Sequence, residues 1–306
     1  LIGNNRIIVI DEAQRVSEIG LTLKRITDNF TNVQLLVTGS SSFELQSNLN
    51  EPLTGRKYEY HLYPISTAEL YDSQGLLPVK QMFESRLIYG SYPDIINHTD
   101  EAKELLMNIA NSYLYKDLLA MNEIRRPILL EKLLIALALQ VGSEVSYNEV
   151  AQTIGTDNKT VEKYIDLLEK CYVIFRLNAF NRNLRTELKK SKKIYFYDNG
   201  IRNAVIQNFA PLSLRQDTGA LWENFFISER IKANHYNGNY AKSFFWRTTQ
   251  QQEIDYIEEA DGNFTAFEMK WNPNKRPITF PSPFLNNYPV KETVVITPEN
   301  YLEWVM

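Results

Sequence analysis

Two acidic residues follow an apolar run near the start of the sequence and have the chemistry to hold a magnesium ion. Residues Ile7 to Ile10 are all β-branched, and Asp11 and Glu12 come directly after them. Such a run predicts a strand buried on both faces, with the carboxylates placed where the strand leaves its sheet. There Asp11 would hold the Mg²⁺ that bridges nucleotide phosphates, and Glu12 would orient or deprotonate an attacking water. The alternative is a core strand whose acids only cap the next helix.

A second apolar run ends in small polar residues. Glu18 to Phe30 predicts a helix, and Gln34 to Val37 predicts another strand. The loop after that strand contains Thr38 and Ser40, which would face a γ-phosphate. Further on, the turn Leu-Thr-Gly-Arg ends at Arg56, a side chain suited to neutralising charge on a transferring phosphoryl group. Arg56 as a solvated loop residue is the other reading of that turn.

The order of acidic strand, TGSSS loop and LTGR turn resembles the second half of a prokaryotic AAA-type P-loop ATPase, with Asp11 and Glu12 in the Walker B position. The resemblance implies ATP and Mg²⁺ as ligands of the intact protein. The phosphate-cradling G-x-x-x-x-G-K-[ST] pattern occurs nowhere in the sequence, which begins at Leu1. We therefore expect a fragment that lacks this loop, and we expect no ATP hydrolysis from the chain as it stands.

A second set of charged residues lies near the end of the sequence. Glu268 and Lys270 are two residues apart, so both point to the same face of the predicted strand. An Asp-Gly turn at Asp261 predicts a hairpin that brings Asp255 beside them. Two carboxylates and a lysine on one face suit a hard divalent cation and the orientation of a water, as metal-dependent phosphodiester cleavage needs. The alternative is an ordinary surface ion pair.

This arrangement resembles the core of the restriction-endonuclease-like nucleases, which have an aspartate on one strand, Glu-x-Lys on the next and a glutamate on a preceding helix. The resemblance implies that Glu223, Asp255 and Glu268 are ligands of Mg²⁺ or Mn²⁺. It implies that Lys270 is catalytic and positions or activates the nucleophile. An inactive nuclease-like scaffold stays open as the alternative.

Between the two candidate sites the sequence predicts a winged helix-turn-helix. Ile128 to Leu139 has helical periodicity, a helix begins after Ser146 and another near Asp157, and a strand follows from Tyr172. The predicted DNA contacts are Lys159 and Lys163 in the major groove, with basic residues of the wing on phosphates. A protein-contact module is the alternative. The basic residues in and after the wing are Arg176, Arg182, Arg185, Lys189, Lys190, Lys192 and Lys193.

Six further motifs complete the resemblance, and two of them also predict local structure. Lys193 to Arg202 predicts an aromatic-rich strand that ends in a turn, and Gly219 to Glu229 predicts a helix. GSYP, KIYFYDNGIR, GALWENF, FFWR with EIDYI, and FEMKW resemble the C-terminal domain of unknown function that follows an AAA-type ATPase core in many bacterial and archaeal proteins. The implied fold is an α/β multidomain one: half an ATPase core with a parallel sheet (1–78), a helical connector (79–127), the winged helix (128–185) and an α/β restriction-endonuclease-like domain (186–306). The implied function is an ATPase that acts on DNA. The alternative is a non-catalytic protein-interaction module, with its interface on the aromatic surface around Trp222, Tyr236, Trp246 and Trp271.

Composition sets broader limits on the protein class. The chain has 306 residues and a net charge of −4, so any attraction to DNA must come from a local patch. The single cysteine, Cys171, excludes an internal disulfide and fits a reducing cytoplasm. Three histidines are too few and too scattered for a zinc site. No apolar run reaches the length of a membrane span, so we expect DNA, a protein partner or a second copy as partners, and no membrane.

Overall fold

The computed structural model describes residues 6–13, 16–39, 57–112, 126–181, 192–272 and 278–306. The chain divides into two compact units, one made of residues 1–62 and 165–172 and the other of residues 63–164 and 173–306. Within the described ranges, no helix combines the length and the apolar character that a membrane span needs.

The first unit contains a small parallel sheet. Strands β1 (Ile7–Ile10) and β2 (Gln34–Val37) pair in parallel, and helix α1 (Ile19–Asn29) connects them, as the sequence predicts. Parallel strands need such a crossover, because the chain must return to the starting edge of the sheet. The core of this unit consists of Ala13, Ile19 and Leu23, with Ile10, Leu35 and Val37 packed against them.

The prediction that β1 is buried on both faces is wrong for the part of the chain that the structure describes. Ile7 and Val9 are 63% and 60% exposed, whereas Ile8 and Ile10 are partly buried. Successive side chains of a strand point to opposite faces, and Ile10 faces the core that α1 contributes to. β1 therefore follows the period-two burial of a sheet that is covered on one side.

The second unit begins with helices, as the sequence predicts for residues 79–124. Gly90 ends one helix with a φ of +79°, and Pro93 is the first residue of the next, where its fixed φ fits. Residues 113–125 of the predicted segment lie outside the described residues. The described helices are α2 (Thr67–Gln74), α3 (Leu76–Gln81), α4 (Phe83–Tyr89), α5 (Pro93–Asn97), α6 (Ala102–Ile109) and α7 (Pro127–Leu139).

Two further helices lie where the helix-turn-helix is predicted. Helix α8 (Tyr147–Ile154) begins after Ser146, whose hydroxyl accepts a hydrogen bond from the Glu149 backbone N–H. It ends at Gly155, which has a φ of +77° and so adopts the left-handed conformation of a helix C-cap. Helix α9 (Asn158–Lys170) follows after a short turn. Local capping signals therefore fix these boundaries.

A seven-stranded sheet forms the centre of the second unit, in the order β3-β5-β4-β6-β7-β8-β9. The β4–β6 and β8–β9 pairs are parallel, and the other pairs are antiparallel. The strands are β3 (Glu144–Val145), β4 (Ile174–Ala179), β5 (Lys192–Phe196), β6 (Lys242–Arg247), β7 (Glu253–Ala260), β8 (Asn263–Met269) and β9 (Val290–Ile296).

This sheet is continuous across the position where the last two predicted domains would meet. β4 pairs with β6 through Asn178 with Phe244 and Ala179 with Phe245. The two candidate wing strands, β4 and β5, therefore share backbone hydrogen bonding with the strands that carry Asp255 and Glu268. The predicted domain limits stay predictions, but residues on both sides of position 185 contribute to one sheet.

Four helices accompany the C-terminal strands. The prediction that residues 193–202 form a strand and a turn is wrong at its end, because Asp198 accepts a hydrogen bond from the Ile201 N–H at 3.1 Å and starts a helix. The helix predicted over Gly219 to Glu229 is confirmed and is longer than expected. The four helices are α10 (Asn199–Val205), α11 (Thr218–Tyr236), α12 (Ser282–Asn287) and α13 (Leu302–Val305).

The GSYP motif packs closely against Asp198 at the start of α10. The Asp198 carboxylate accepts a hydrogen bond from the Ser91 N–H at 2.7 Å, and Asn203 donates to the Ile88 carbonyl at 2.7 Å. A Cβ atom placed on Gly90 would lie 1.9 Å from Asp198 Oδ1. These motifs therefore join the helical segment to the sheet, and only glycine fits at position 90.

We predict that Gly90→Ala destabilises the protein by about 2–3 kcal/mol more than Gly75→Ala, because only the first adds a steric clash. Gly75 is the matched control: its φ of +82° resembles the +79° of Gly90, and its Cβ would meet nothing within 4 Å. Urea unfolding of both variants measures the difference. Equal free energies of unfolding would show that the close approach to Asp198 does not matter.

Candidate functional site

The first candidate site lies at the carboxyl ends of β1 and β2. The Thr38 hydroxyl donates a hydrogen bond to Asp11 Oδ1, and the Glu12 backbone N–H donates to Thr38 Oγ1 at 3.3 Å. Glu12 has a φ of +50°, so the chain turns sharply directly after the strand. The carboxyl ends of parallel strands meet at one sheet edge, which explains why residues 27 positions apart come together here.

Asp11 and Thr38 are exposed to solvent, as a nucleotide-binding edge requires. The predicted partners Ser40 and Arg56 lie outside the described residues. The structure therefore brings together Asp11, Glu12 and Thr38, while their roles with ATP and Mg²⁺ stay predictions.

The second candidate site is built on the β7–β8 hairpin. Asp261 and Gly262 at its tip have φ values of +51° and +79°, as an Asp-Gly turn of type I′ requires. This turn sets a register in which Tyr256 lies opposite Phe267. Asp255 and Glu268 are the next residues along the two strands and therefore face each other. The Asp-Gly turn thus sets the strand register that places the Asp255 and Glu268 carboxylates opposite each other.

Lys270 completes this pair from the end of β8. Its Nζ lies 2.8 Å from Glu268 Oε2 and 3.7 Å from Asp255 Oδ2. The Asp255 carboxylate also accepts a hydrogen bond from the Met269 N–H at 3.1 Å, which holds its side chain against the adjacent strand. Asp255, Glu268 and Lys270 therefore lie together, as the strand periodicity predicts.

Glu223 approaches the same region from α11, but its carboxylate has other hydrogen-bond partners. Glu223 Oε1 accepts a hydrogen bond from the Tyr195 hydroxyl at 2.6 Å and lies 3.3 Å from Lys193 Nζ. Tyr195 and Lys193 are two residues apart on β5, so they point to the same face of the sheet. The prediction that Glu223 is a metal ligand stays a prediction, and the described contacts tie it to β5.

Lys193 is a site residue that the sequence did not reveal. The sequence places it in an exposed basic patch, and this is wrong: its side chain is 2% exposed, and its Nζ lies 2.5 Å from Glu253 Oε1. Glu253 also approaches Arg247, which in turn pairs with Glu144 at 3.3 Å. The alternation of side chains along β5 predicts that Lys193 and Tyr195 share one face. Whether that face is buried depends on the elements that pack against the sheet, which the sequence does not reveal.

The electrostatics of the site differ between its acids and its amines. Burial and, after it, the neighbouring Asp255 charge raise the pKa of Glu268 to about 7, against the opposing effect of Lys270. Burial likewise raises the pKa of Glu223 to about 7, against Lys193, which lowers it. Near neutral pH both carboxyls therefore change charge readily, as a site for proton transfer or cation binding does.

The two lysines keep their positive charge. Burial lowers the pKa of Lys193, but Glu223, Asp255 and Glu253 outweigh this effect and raise it above its ordinary value. Lys270 behaves in the same way, since Asp255 and Glu268 raise its pKa by more than burial lowers it. Burial, together with the Glu223 charge, also raises the pKa of Tyr195 well above its usual range, so the phenol stays a hydrogen-bond donor.

An open cleft of about 900 Å³ lies against this site. Glu268 and Lys270 face it from β8, and Arg215 and Thr218 line it at the start of α11. Trp271 contributes an aromatic wall. The cleft gives a polar ligand direct access to the Glu268–Lys270 pair.

A divalent cation needs oxygen ligands that converge on one point. Within the described ranges, no three His, Cys, Asp or Glu side chains gather as a metal site. Asp255 and Glu268 nevertheless adjoin, and Mg²⁺ is commonly held by one or two carboxylates together with waters and substrate phosphates. The Asp255–Glu268 pair therefore fits one such ion, whereas Glu223 is engaged by Lys193 and Tyr195.

The predicted DNA contacts are only partly visible. Lys159 and Lys163 are exposed on α9, four residues apart and so on one face of the helix. The predicted wing residues Arg182, Arg185, Lys189 and Lys190 lie outside the described residues.

Three family descriptions match successive parts of the chain. Residues 1–71 match the family described as AAA domain, residues 80–212 match Domain of unknown function (DUF8612), and residues 218–303 match Domain of unknown function (DUF4143). Asp11 and Thr38 lie in the first of these, and Glu223, Asp255, Glu268 and Lys270 in the last. The second match includes strands β3, β4 and β5 and helix α10. Of these, β5 and α10 contact α11.

The relatives found among curated proteins are uncharacterized. The chain is 28% identical to a protein of Haemophilus influenzae over 65% of this chain and 52% of the relative. It is 26% identical to a protein of Mycobacterium tuberculosis (88% of this chain, 60% of the relative) and 23% identical to one of Methanocaldococcus jannaschii (84% and 59%). The chain thus spans a little over half the length of these relatives.

No solved protein structure matches the chain significantly. The matches to sequence families do establish its general organisation: an AAA-type ATPase-like region followed by two domains of unknown function.

Proposed function

We propose that the intact protein is a cytoplasmic ATPase of the AAA type that acts on DNA, and that its C-terminal domain is a restriction-endonuclease-like site for metal-dependent phosphodiester cleavage. The match of residues 1–71 to an AAA domain supports the ATPase assignment in the first part. A single observation carries the second: the Lys270 ammonium lies 2.8 Å from Glu268 and 3.7 Å from Asp255, at the wall of an open cleft.

The chemistry of the C-terminal site follows from its charges. Asp255 and Glu268 would hold Mg²⁺ or Mn²⁺, which supplies a Lewis acid and acidifies a bound water. Lys270 is 38% exposed and so reaches the cleft, where its ammonium would attract a phosphodiester and hold the attacking water in line. Glu268 must be ionised to serve as a ligand, and its raised pKa makes this condition sensitive to pH near 7.

The helices that precede the sheet would bind DNA and bring it to the site. Helices α7, α8 and α9 with strands β3, β5 and β4 have the element order of a winged helix, and α9 would be the recognition helix. Lys159 and Lys163 would lie in the major groove. The basic residues Arg182, Arg185, Lys189 and Lys190 would contact phosphates, as the sequence predicts.

A second candidate function is a non-catalytic protein-interaction module, in which the carboxylates only stabilise the fold. The buried Lys193, paired with Glu223 and Glu253, favours it, because an internal ammonium supplies the positive charge that a metal would otherwise provide. An interaction surface at Trp222 or Trp246 is wrong, since these side chains are buried in the core. Tyr236 is 42% exposed and stays available to a protein partner or a second copy.

We predict that the chain nicks supercoiled plasmid in the presence of Mn²⁺ or Mg²⁺, and that Lys270→Ala lowers the rate by about 100-fold or more. The matched control is Lys242→Ala, which removes an exposed lysine of the same sheet that pairs with Glu259 at 3.4 Å. Gel assays of both variants measure the rates. Cleavage that survives Lys270→Ala unchanged would exclude this site, and no cleavage by the wild-type chain would favour the interaction module.

We predict that the double change of Lys159→Ala and Lys163→Ala weakens DNA binding and lowers the slope of log K against log salt by about 1–2, because each phosphate contact releases counterions. Lys132→Ala, an exposed lysine of α7, is the control. Fluorescence anisotropy with a labelled duplex at several salt concentrations gives the slopes. An identical slope for the double variant and the wild type would contradict a role for α9.

We predict that the stability gap between Glu268→Gln and the wild type widens as pH rises from about 4.5 to 7. The pKa of Glu268 is raised from 4.5 to about 7 in the fold, so the native state keeps a proton that the unfolded chain loses in this window. The favourable contribution of the protonated Glu268 carboxyl to the stability of the wild type is therefore complete at low pH and is lost as the pH rises towards 7. Thermal unfolding across the range measures it, with Glu292→Gln, an exposed carboxyl of β9, as control. A gap independent of pH would contradict the shift.

A further inference from the structure

Lys193 is the least exposed charged side chain among the acids of the C-terminal site. Its side chain is 2% exposed, against 16% for Glu223 and 28% for Glu253. We call Glu223, Glu253, Asp255 and Glu268 the carboxylate cluster. A buried ammonium is tolerated only when acids and hydrogen bonds compensate for the lost hydration. The carboxylates of the cluster therefore stabilise the buried Lys193 ammonium, and the ammonium in turn offsets the repulsion between them.

The position of the amine within the cluster is specific. Lys193 Nζ lies 2.5 Å from Glu253 Oε1 on β7 and 3.3 Å from Glu223 Oε1 on α11. It also lies 5.5 Å from the ring centre of Phe245 on β6, which closes its third side with an aromatic face. Lys193 thus bridges the helix acid and the first acid of β7.

Each of the two lysines forms ion pairs with a different pair of carboxylates in the cluster. Lys270 contacts Asp255 and Glu268, is 38% exposed and borders the cleft, so it has room to move when a ligand enters. Lys193 contacts Glu223 and Glu253 and is enclosed. A cation entering from the cleft meets Glu268 and Glu253, which both line it, and the Lys193 ammonium is already paired with Glu253.

We propose that Lys193 is a positioning residue that takes the place of a second divalent cation. The site then accepts at most one such ion, at Asp255 and Glu268, while Glu223 stays paired with the Lys193 ammonium and the Tyr195 hydroxyl. This inference rests on the proposed function, because it specifies how many cations the same site holds. Its physical basis is that a divalent ion placed between Glu223 and Glu253 would be repelled by, and would compete with, a charge that is covalently tethered there.

Removal of the ammonium should open the second position. In Lys193→Met the apolar side chain has a similar length, and Glu223 and Glu253 lose their shared counter-charge. Two neighbouring, partly buried carboxylates without a cation attract a hard divalent ion, whose preferred ligands are carboxylate oxygens. The variant should therefore bind one Mn²⁺ per chain more than the wild type.

The experiment counts bound Mn²⁺ on the purified chain by electron paramagnetic resonance of the free ion. Lys193→Met is expected to bind one ion more than the wild type, and Lys193→Arg, which keeps the charge, is expected to return to the wild-type number. Lys242→Met is the control for the loss of a lysine elsewhere in the sheet. Because only the difference between variants is used, binding at other places on the chain cancels.

The outcomes separate this inference from the proposed function. An equal count in a folded Lys193→Met variant and the wild type overturns the inference and leaves the proposed function standing. A wild-type count that Asp255→Asn does not lower, beside a Lys193→Met variant that binds one ion more than the wild type, supports the inference and overturns metal-dependent cleavage at this site. If Lys193→Met does not fold, Glu223→Gln in the wild-type chain decides: an unchanged count supports the inference, and a lower count overturns it because Glu223 is then a ligand.

Discussion

The burial of helix α11 is the constraint on which the C-terminal site depends. Nearly every side of this helix is covered, so its polar side chains must find partners inside the protein. Asn224 bonds to the backbone of Phe196 and to Asn199, and Glu229 pairs with Lys232 at 2.7 Å and with Arg86 at 3.3 Å. These contacts fix the helix over the sheet and against the preceding helices, and thereby fix where Glu223 points.

The same requirement explains the charges of the site. Three acids of α11 and β8, buried or partly buried, are each paired with a lysine: Glu229 with Lys232, Glu223 with Lys193, and Glu268 with Lys270. Burial raises the pKa of Glu229, but Lys232 and Arg86 outweigh it and lower the pKa to about 2, whereas the pKa of Glu268 rises to about 7 beside Asp255. The Glu229–Lys232 pair is enclosed and stabilises the fold, whereas the Glu268–Lys270 pair borders the cleft.

Capping and turn signals in the sequence predicted much of the local structure. The Asp-Gly turn gave the β7–β8 hairpin and so the proximity of Asp255, Glu268 and Lys270. Ser146 and Gly155 gave the ends of α8, and the apolar runs gave β1 and β2. Sequence also erred in specific ways: β1 is covered on one face only, and the chain after Asp198 is helical because its carboxylate caps the next turn.

What the sequence determined by itself was therefore short-range: strand period, turn type and helix caps depend on neighbouring residues. What only the tertiary structure decided was the pairing of β4 with β6 and the burial of Lys193 between Glu223 and Glu253, residues 30 and 60 positions away. A lysine in an alternating strand looks the same whether its face is solvated or covered. The tertiary structure decides between them because α11 packs over that face and takes the Lys193 ammonium out of water, where it pairs with Glu223 and Glu253.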